Sequence, residues 1–234
     1  MTTRVMPEPS ARAGRRRFLS LPAAAGIGYF VAWIISVSVG SPSFSVAAPG
    51  TQVVADFSGH GGSAMAMYAL AEGVAGAALA IVVLSASRAA RRRGARLAGL
   101  AVAIFGLTVT VVSWVELGLG AWLIGWLVPE RRAGTAGAVY HAVNRIDGAK
   151  MLVLAAMALA ISVVALRTVS LPRWLAPLGF LMAASLAVSG LGWILLAPGL
   201  SQAVWVGGTF MLIVVTATGI TLRRCSVHAG GGSM

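Results

Sequence analysis

Six stretches of the chain, roughly 19–40, 63–85, 98–120, 149–166, 174–196 and 203–222, are apolar for long enough to cross hydrocarbon about 30 Å thick, which takes about 20 helical residues. Inside lipid no water bonds the backbone, so such stretches must be helical. The expected fold is therefore all-α, a polytopic membrane protein with a six-helix transmembrane bundle. Composition agrees: only 10% of residues are charged, against about 25% in a soluble domain. Too little polar surface exists to wrap a soluble globule, and disordered, fibrous and disulfide-rich secreted classes fall with it. The expected organisation is a basic N-terminal segment over 1–18, the transmembrane domain over 19–224, and a flexible Gly-rich tail over 225–234. Two connections, Ser41 to Gly62 and Pro129 to Gly148, carry Pro and Gly and read as long loops.

Positive loops resist translocation, so counting Lys and Arg orients the chain. Arg4, Arg12, Arg15, Arg16 and Arg17 precede the first span, and Arg88, Arg91, Arg92, Arg93 and Arg96 link spans two and three. Arg167, Arg173, Arg223 and Arg224 complete fourteen on one side, against Arg131, Arg132, Arg145 and Lys150 on the other. Both termini are thus expected in the cytoplasm of a bacterial cell, with the plasma membrane as the address. Trp114, Trp122, Trp126, Trp193 and Trp205 then fall toward the outer helix ends, as an aromatic belt would.

The net charge of +12 raises nucleic acid as a partner. No aromatic residues interleave with the Arg88–Arg96 run to stack bases, so nucleic acid is not expected. Membrane lipids are expected beside these arginines, and a cytoplasmic protein is the further partner that the run suits. Arg15-Arg16-Arg17-Phe18-Leu19 with Ser45-Val46-Ala47 also resembles a twin-arginine export signal and its cleavage site, which would leave five spans. The apolar stretch continues to Gly40, long enough to span, and six spans balance the charges better. Cys225 stands alone and forms no internal disulfide.

Polar residues within the spans carry what functional signal there is. Glu72 lies about ten residues into its span, near the bilayer midplane at 1.5 Å per residue. A charge there costs roughly 2.5–3.5 kcal/mol on the insertion scale, so Glu72 must face protein, water or its own proton. Ala69, Glu72, Gly73 and Gly76 share a face of small residues that lets another helix approach. The third span is overlong, from Leu97 to Val128, and is expected to project or bend beyond Glu116, near Gly118, Gly120 and Gly125. Along it Gly106, Thr110, Ser113, Glu116 and Gly120 form a narrow polar stripe that should face the bundle.

The densest polar group is His141, Asn144, Arg145, Asp147 and Lys150 on the outer approach to span four. If helical, His141, Asn144 and Arg145 share a face, and Asp147 lies one turn beyond Asn144. Asp147 is expected either to cap the fourth span or to join a site. Lys150, the only lysine, either snorkels to the interface or pairs with Glu116 if spans three and four adjoin. Asp56 and His60, in the loop before span two, are weaker candidates. With His141 and Glu116 they offer the residue types of a metal site, but without HExxH or CxxC spacing, so no metal is expected. No P-loop, dinucleotide fingerprint or nucleophile elbow is present, and no cofactor is expected.

The segment Leu166–Gly179, LRTVSLPRWLAPLG, joins two spans through a Pro-Arg-Trp turn. With ADFSGH before span two and VNRIDGAKM leading into span four, it resembles a group of small six-helix membrane proteins of unknown function from high-GC, actinomycete-type bacteria. The likeness covers roughly residues 20 to 224. It implies the fold and a plasma-membrane address, and no catalytic residues. From the residues themselves the leading expectation is a bundle that binds or transports a small molecule, hydrophobic or not, proton-linked through Glu72. Glu116, His141, Arg145 and Lys150 would shape the outer mouth of its pocket, with Asn144 and Asp147 as further ligand- or proton-binding candidates. The alternatives are a membrane enzyme acting on a lipid or hydrophobic metabolite, with His60 or His141 as acid or base, and a non-catalytic accessory subunit. The residues leave the choice between enzyme and carrier open.

Overall fold

The computed structural model describes residues 20–39 and 45–228, with side chains as far as 222. Among these residues helices are the only regular elements, and no strand forms. Helix α1 covers Leu21–Ser38, α2 Gly50–Tyr68, α3 Ala75–Arg92, α4 Arg96–Trp122, α5 Ala133–Arg167, α6 Leu175–Ile194, α7 Pro198–Ser201 and α8 Val204–His228. A π-helical turn, Ala69–Val74, fuses α2 to α3, and a second, Leu123–Leu127, extends α4. Six of the resulting rods are long and apolar enough to cross a membrane. Arg15 to Leu19, the start of the export-signal motif, lies outside the described residues. Helix α8 continues to His228, so residues 225–228 of the expected tail are helical.

The rods close a ring in which α1 packs on α3 and α8, α3 on α4, α4 on α5, α5 on α6, and α6 on α8. Helix α5 is the most enclosed, with 61% of its apolar window buried against 33% for α1. Its alanines at 155, 158, 160 and 165 explain this, because small side chains let neighbouring backbones approach closely where lipid supplies no hydrophobic drive between helices. Larger side chains fill the remaining space: Val82 and Val83 from α3, Met157 and Ile161 from α5, Met182 and Leu186 from α6.

Both connections expected as long loops turn out to be largely helical. The Gly50–Gly62 stretch is the body of α2, and residues 133–148 are the first half of α5. Four glycines between 50 and 62 argue locally for a loop. Tertiary packing overrides them. Val53, Phe57 and Ala64 make one buried face of α2, and it meets Leu123, Leu127, Ala136 and Tyr140 in a second, smaller core. Asp56 and His60 therefore stand on a helix, not a loop. Non-helical angles at His60 (φ −128°, ψ 18°) mark a kink there.

Length explains the second core. The continuous rod Gly50–Arg92 has 43 residues and α5 has 35, about 65 and 52 Å at 1.5 Å per residue. Both are longer than the roughly 30 Å that crossing hydrocarbon requires, and their halves farthest from the arginine-rich end carry the second core as a cap on the bundle.

Candidate functional site

One group of four charged side chains lies where the rods meet the cap. Glu72 comes from the π turn, Glu116 from α4, and Asp147 and Lys150 from α5. The ammonium Nζ of Lys150 donates to Oε2 of Glu72 at 2.8 Å and to Oε2 of Glu116, and sits 2.8 Å from Oδ1 of Asp147. Three carboxylates thus surround one ammonium, two of them accepting its hydrogen bonds and the third as an ion pair.

Local structure brings each group there. The π turn admits one extra residue at the level of Glu72, a device that recurs at functional sites. The small-residue face beside it admits α4: a Cβ placed on Gly76 would touch the Cβ of Ser113 at 3.4 Å, and one on Gly73 would touch Leu117 at 3.3 Å. On α4 the stripe Gly106, Thr110, Ser113, Glu116 and Gly120 is buried along its whole length. Thr110 ties α4 to α3 by donating to the carbonyl of Gly76 at 3.2 Å. On α5, Asp147 and Lys150 are three residues apart and meet on one face. Gly148 between them allows α6 to approach, since a Cβ there would lie 2.7 Å from the carbonyl oxygen of Gly190.

The three acids differ in access. The Glu116 side chain is 2% exposed, Glu72 14% and Asp147 21%. The second oxygen of Glu116, Oε1, is buried with no hydrogen-bond partner. Glu72 and Lys150 line a cavity of about 30 Å³ with Tyr29, Trp33, Ser113 and Met211. That volume holds about one water. The aromatic pair on α1 is four residues apart, a spacing visible in the sequence but not used to find the site.

With all four groups ionised the cluster carries three negative charges and one positive. Each acid offers one oxygen within 4.8 Å of the others, and like charges at that distance repel by about 3–4 kcal/mol at an effective dielectric of 20. The site is short of positive charge. Its oxygens have the spacing of a hard-cation site, but the Lys150 ammonium already occupies the space between them.

Measured from the arginine-rich end, the cluster lies at a similar height on each of its rods. Sixteen residues separate Glu72 from Arg88, twenty separate Glu116 from Arg96, and seventeen separate Lys150 from Arg167, about 24, 30 and 26 Å of helix. A 30 Å slab laid from the arginine-rich end reaches the cluster near its far edge.

Other candidates lie elsewhere. Asp147 is within α5, too far from its start at Ala133 to cap it, and pairs with Lys150 instead. Lys150 is buried and does not snorkel. His141 and Asn144 serve the chain before α2. Asn144 Nδ2 donates to the carbonyl of Val46 at 2.8 Å, and His141 Nε2 lies 3.0 Å from that of Ala48, which can only accept, so Nε2 carries the proton. Tyr140 joins them by donating to the carbonyl of Ser45 at 3.2 Å. Together they bind residues 45–48 as a strap over the first half of α5. Arg145 is exposed and outside the cluster. Asp56 and His60 stand on α2, where the His60 ring meets the backbone carbonyl of Asp56 at 3.0 Å and no carboxylate.

The strap, Tyr140, and the cavity side chains from α1 and α8 are absent from the sequence-based site. The likeness to six-helix proteins of actinomycete-type bacteria rests on its motifs alone, because no protein-family model, no curated protein and no solved structure matches the chain.

Proposed function

We propose that this is a multi-pass protein of the bacterial plasma membrane, with its termini and arginine-rich face in the cytoplasm, that binds and moves a small molecule in step with protons. Glu72, Glu116, Asp147 and Lys150 are the exchange site. The observation that supports this is the excess of acid: a purely structural ion pair needs one carboxylate, and here three converge on one buried ammonium. The excess is relieved by taking up protons or the positive group of a ligand.

Glu72 is the acid that lines the cavity beside Lys150, and in this reading it is the proton acceptor. Protonation withdraws one of the three carboxylate contacts of Lys150 and loosens the π turn from α5. That makes the turn a two-state element biased by a local charge change. A cavity of about 30 Å³ takes no cargo larger than water, so cargo enters only when the cluster opens. The enzymatic alternative gains no support from geometry, since His60 and His141 both meet backbone carbonyls and neither meets an acid.

The test uses purified protein in liposomes that enclose a pH-sensitive dye. After an external acid pulse, wild-type protein should acidify the interior faster than empty liposomes, and Glu72→Gln should return the rate to the empty-liposome level while still inserting and folding. Equal rates for wild type and Glu72→Gln would overturn the proposal.

A further inference from the structure

At the opposite end of the bundle, α3 and α4 are joined by a tight turn. Gly94 has φ +90°, a left-handed conformation that glycine adopts at little cost, and the amide of Ala95 donates to the carbonyl of Ala90 at 3.0 Å. Gly99 lets the start of α4 lie against the end of α3, since a Cβ there would sit 3.0 Å from Cγ of Arg91. The turn thereby gathers Arg88, Arg91, Arg92 and Arg96 around one concavity of about 510 Å³. Arg93, in the same run, does not line it. Among the described residues no carboxylate forms an ion pair with any of the five.

Orientation of a span needs positive charge on one side only and is indifferent to where the side chains converge. Convergence has a cost, because Arg88 repels Arg91 and Arg92, three and four residues further along the same helix. An anion seated among them reverses the sign. Guanidinium forks bind phosphate oxygens bidentately, and a basic pocket at the end of transmembrane helices suits a phospholipid headgroup. The surface below suits acyl chains: Leu97, Leu100 and Ile104 are exposed on one face of α4, starting one residue after Arg96.

We infer that Arg88, Arg91, Arg92 and Arg96 form a binding site for the phosphate headgroup of an anionic phospholipid, whose chains run along Leu97, Leu100 and Ile104. The site is independent of the acid–lysine cluster and stands or falls separately from it.

Replacing all four arginines by lysine tests this while preserving charge and therefore topology, because lysine lacks the planar fork. Protein purified in mixed micelles of phosphatidylglycerol and phosphatidylcholine is analysed by native mass spectrometry for retained lipid. Wild type should retain phosphatidylglycerol over phosphatidylcholine by about tenfold. The four-lysine variant should lose most of that preference, and Arg93→Lys should keep it. Equal retention of the two lipids by wild type, or an undiminished preference in the four-lysine variant, overturns the inference. A parallel thermal-shift series with inorganic phosphate separates the sources: stabilisation by phosphatidylglycerol alone supports a lipid, and equal stabilisation by free phosphate overturns it.

Discussion

Lys150 Nζ and Glu72 Oε2 are 2.8 Å apart although their residues are 78 positions apart in the chain, and this bond ties the π turn to the central helix. The same nitrogen also donates to Oε2 of Glu116 and lies 2.8 Å from Oδ1 of Asp147. Each acid would otherwise face the other two without compensation.

Removing the ammonium should therefore cost more than an ordinary lost bond. Lys150→Met leaves the buried Glu116 and the half-buried Glu72 and Asp147 unbalanced, and the expected loss of stability is about 3–5 kcal/mol. Thermal unfolding in detergent measures it. Adding Glu116→Leu to Lys150→Met should recover part of the loss, because the two changes share one network. Strict additivity would show that the pair is not coupled.

Chemical labelling should rank the carboxylates by access. A carbodiimide that partitions into micelles is expected to modify Glu72 and Asp147, whose side chains are 14% and 21% exposed, and to spare Glu116 at 2%. Peptide mass spectrometry reads the sites. Preferential modification of Glu116 would mean that the cluster is open on a side where the structure seals it.

The strap should detach when its anchor is cut. Asn144→Ala leaves the carbonyl of Val46 without its donor, at a cost of about 1–3 kcal/mol. Hydrogen exchange is expected to quicken in residues 45–53 and to stay unchanged at the arginine-rich turn. Protection that persists across 45–53 would count against a strap held by this side chain.

Two glycines should respond oppositely to alanine. At Gly148 the new Cβ would lie 2.7 Å from the carbonyl of Gly190, so Gly148→Ala is expected to cost about 1–3 kcal/mol and to displace Asp147 and Lys150 from their partners. Nothing lies within 4 Å of a Cβ at Gly28 in α1, and Gly28→Ala should gain about 0.5–1 kcal/mol from helix propensity. Melting temperatures of the two variants decide it, and a shift of the same sign in both would refute the packing argument.

Much of this arrangement was legible in residue order. The stripe from Gly106 to Gly120 pointed inward by its spacing alone, and the pairing of Lys150 with Glu116 followed once their spans were taken as neighbours. Asp147 was harder. An acid near an expected helix start is a good cap, and only the continuation of α5 back to Ala133 makes it a partner for Lys150. The run from Gly50 to Gly62 misled for a related reason: its glycines speak for a loop, while Val53 and Phe57, one turn apart, pack against residues of the second core.

Hydropathy is a local property, so the number of helices long and apolar enough to cross a membrane and the asymmetry of charge between their ends followed from the amino-acid order. The meeting of Glu72, Glu116 and Asp147 at one nitrogen did not. It depends on how each rod is rotated about its axis, on the extra residue in the π turn at Ala69–Val74, and on close contact of α5 with its neighbours at positions such as Gly148. Those are relations between segments far apart in the chain, and packing of the whole bundle decided them.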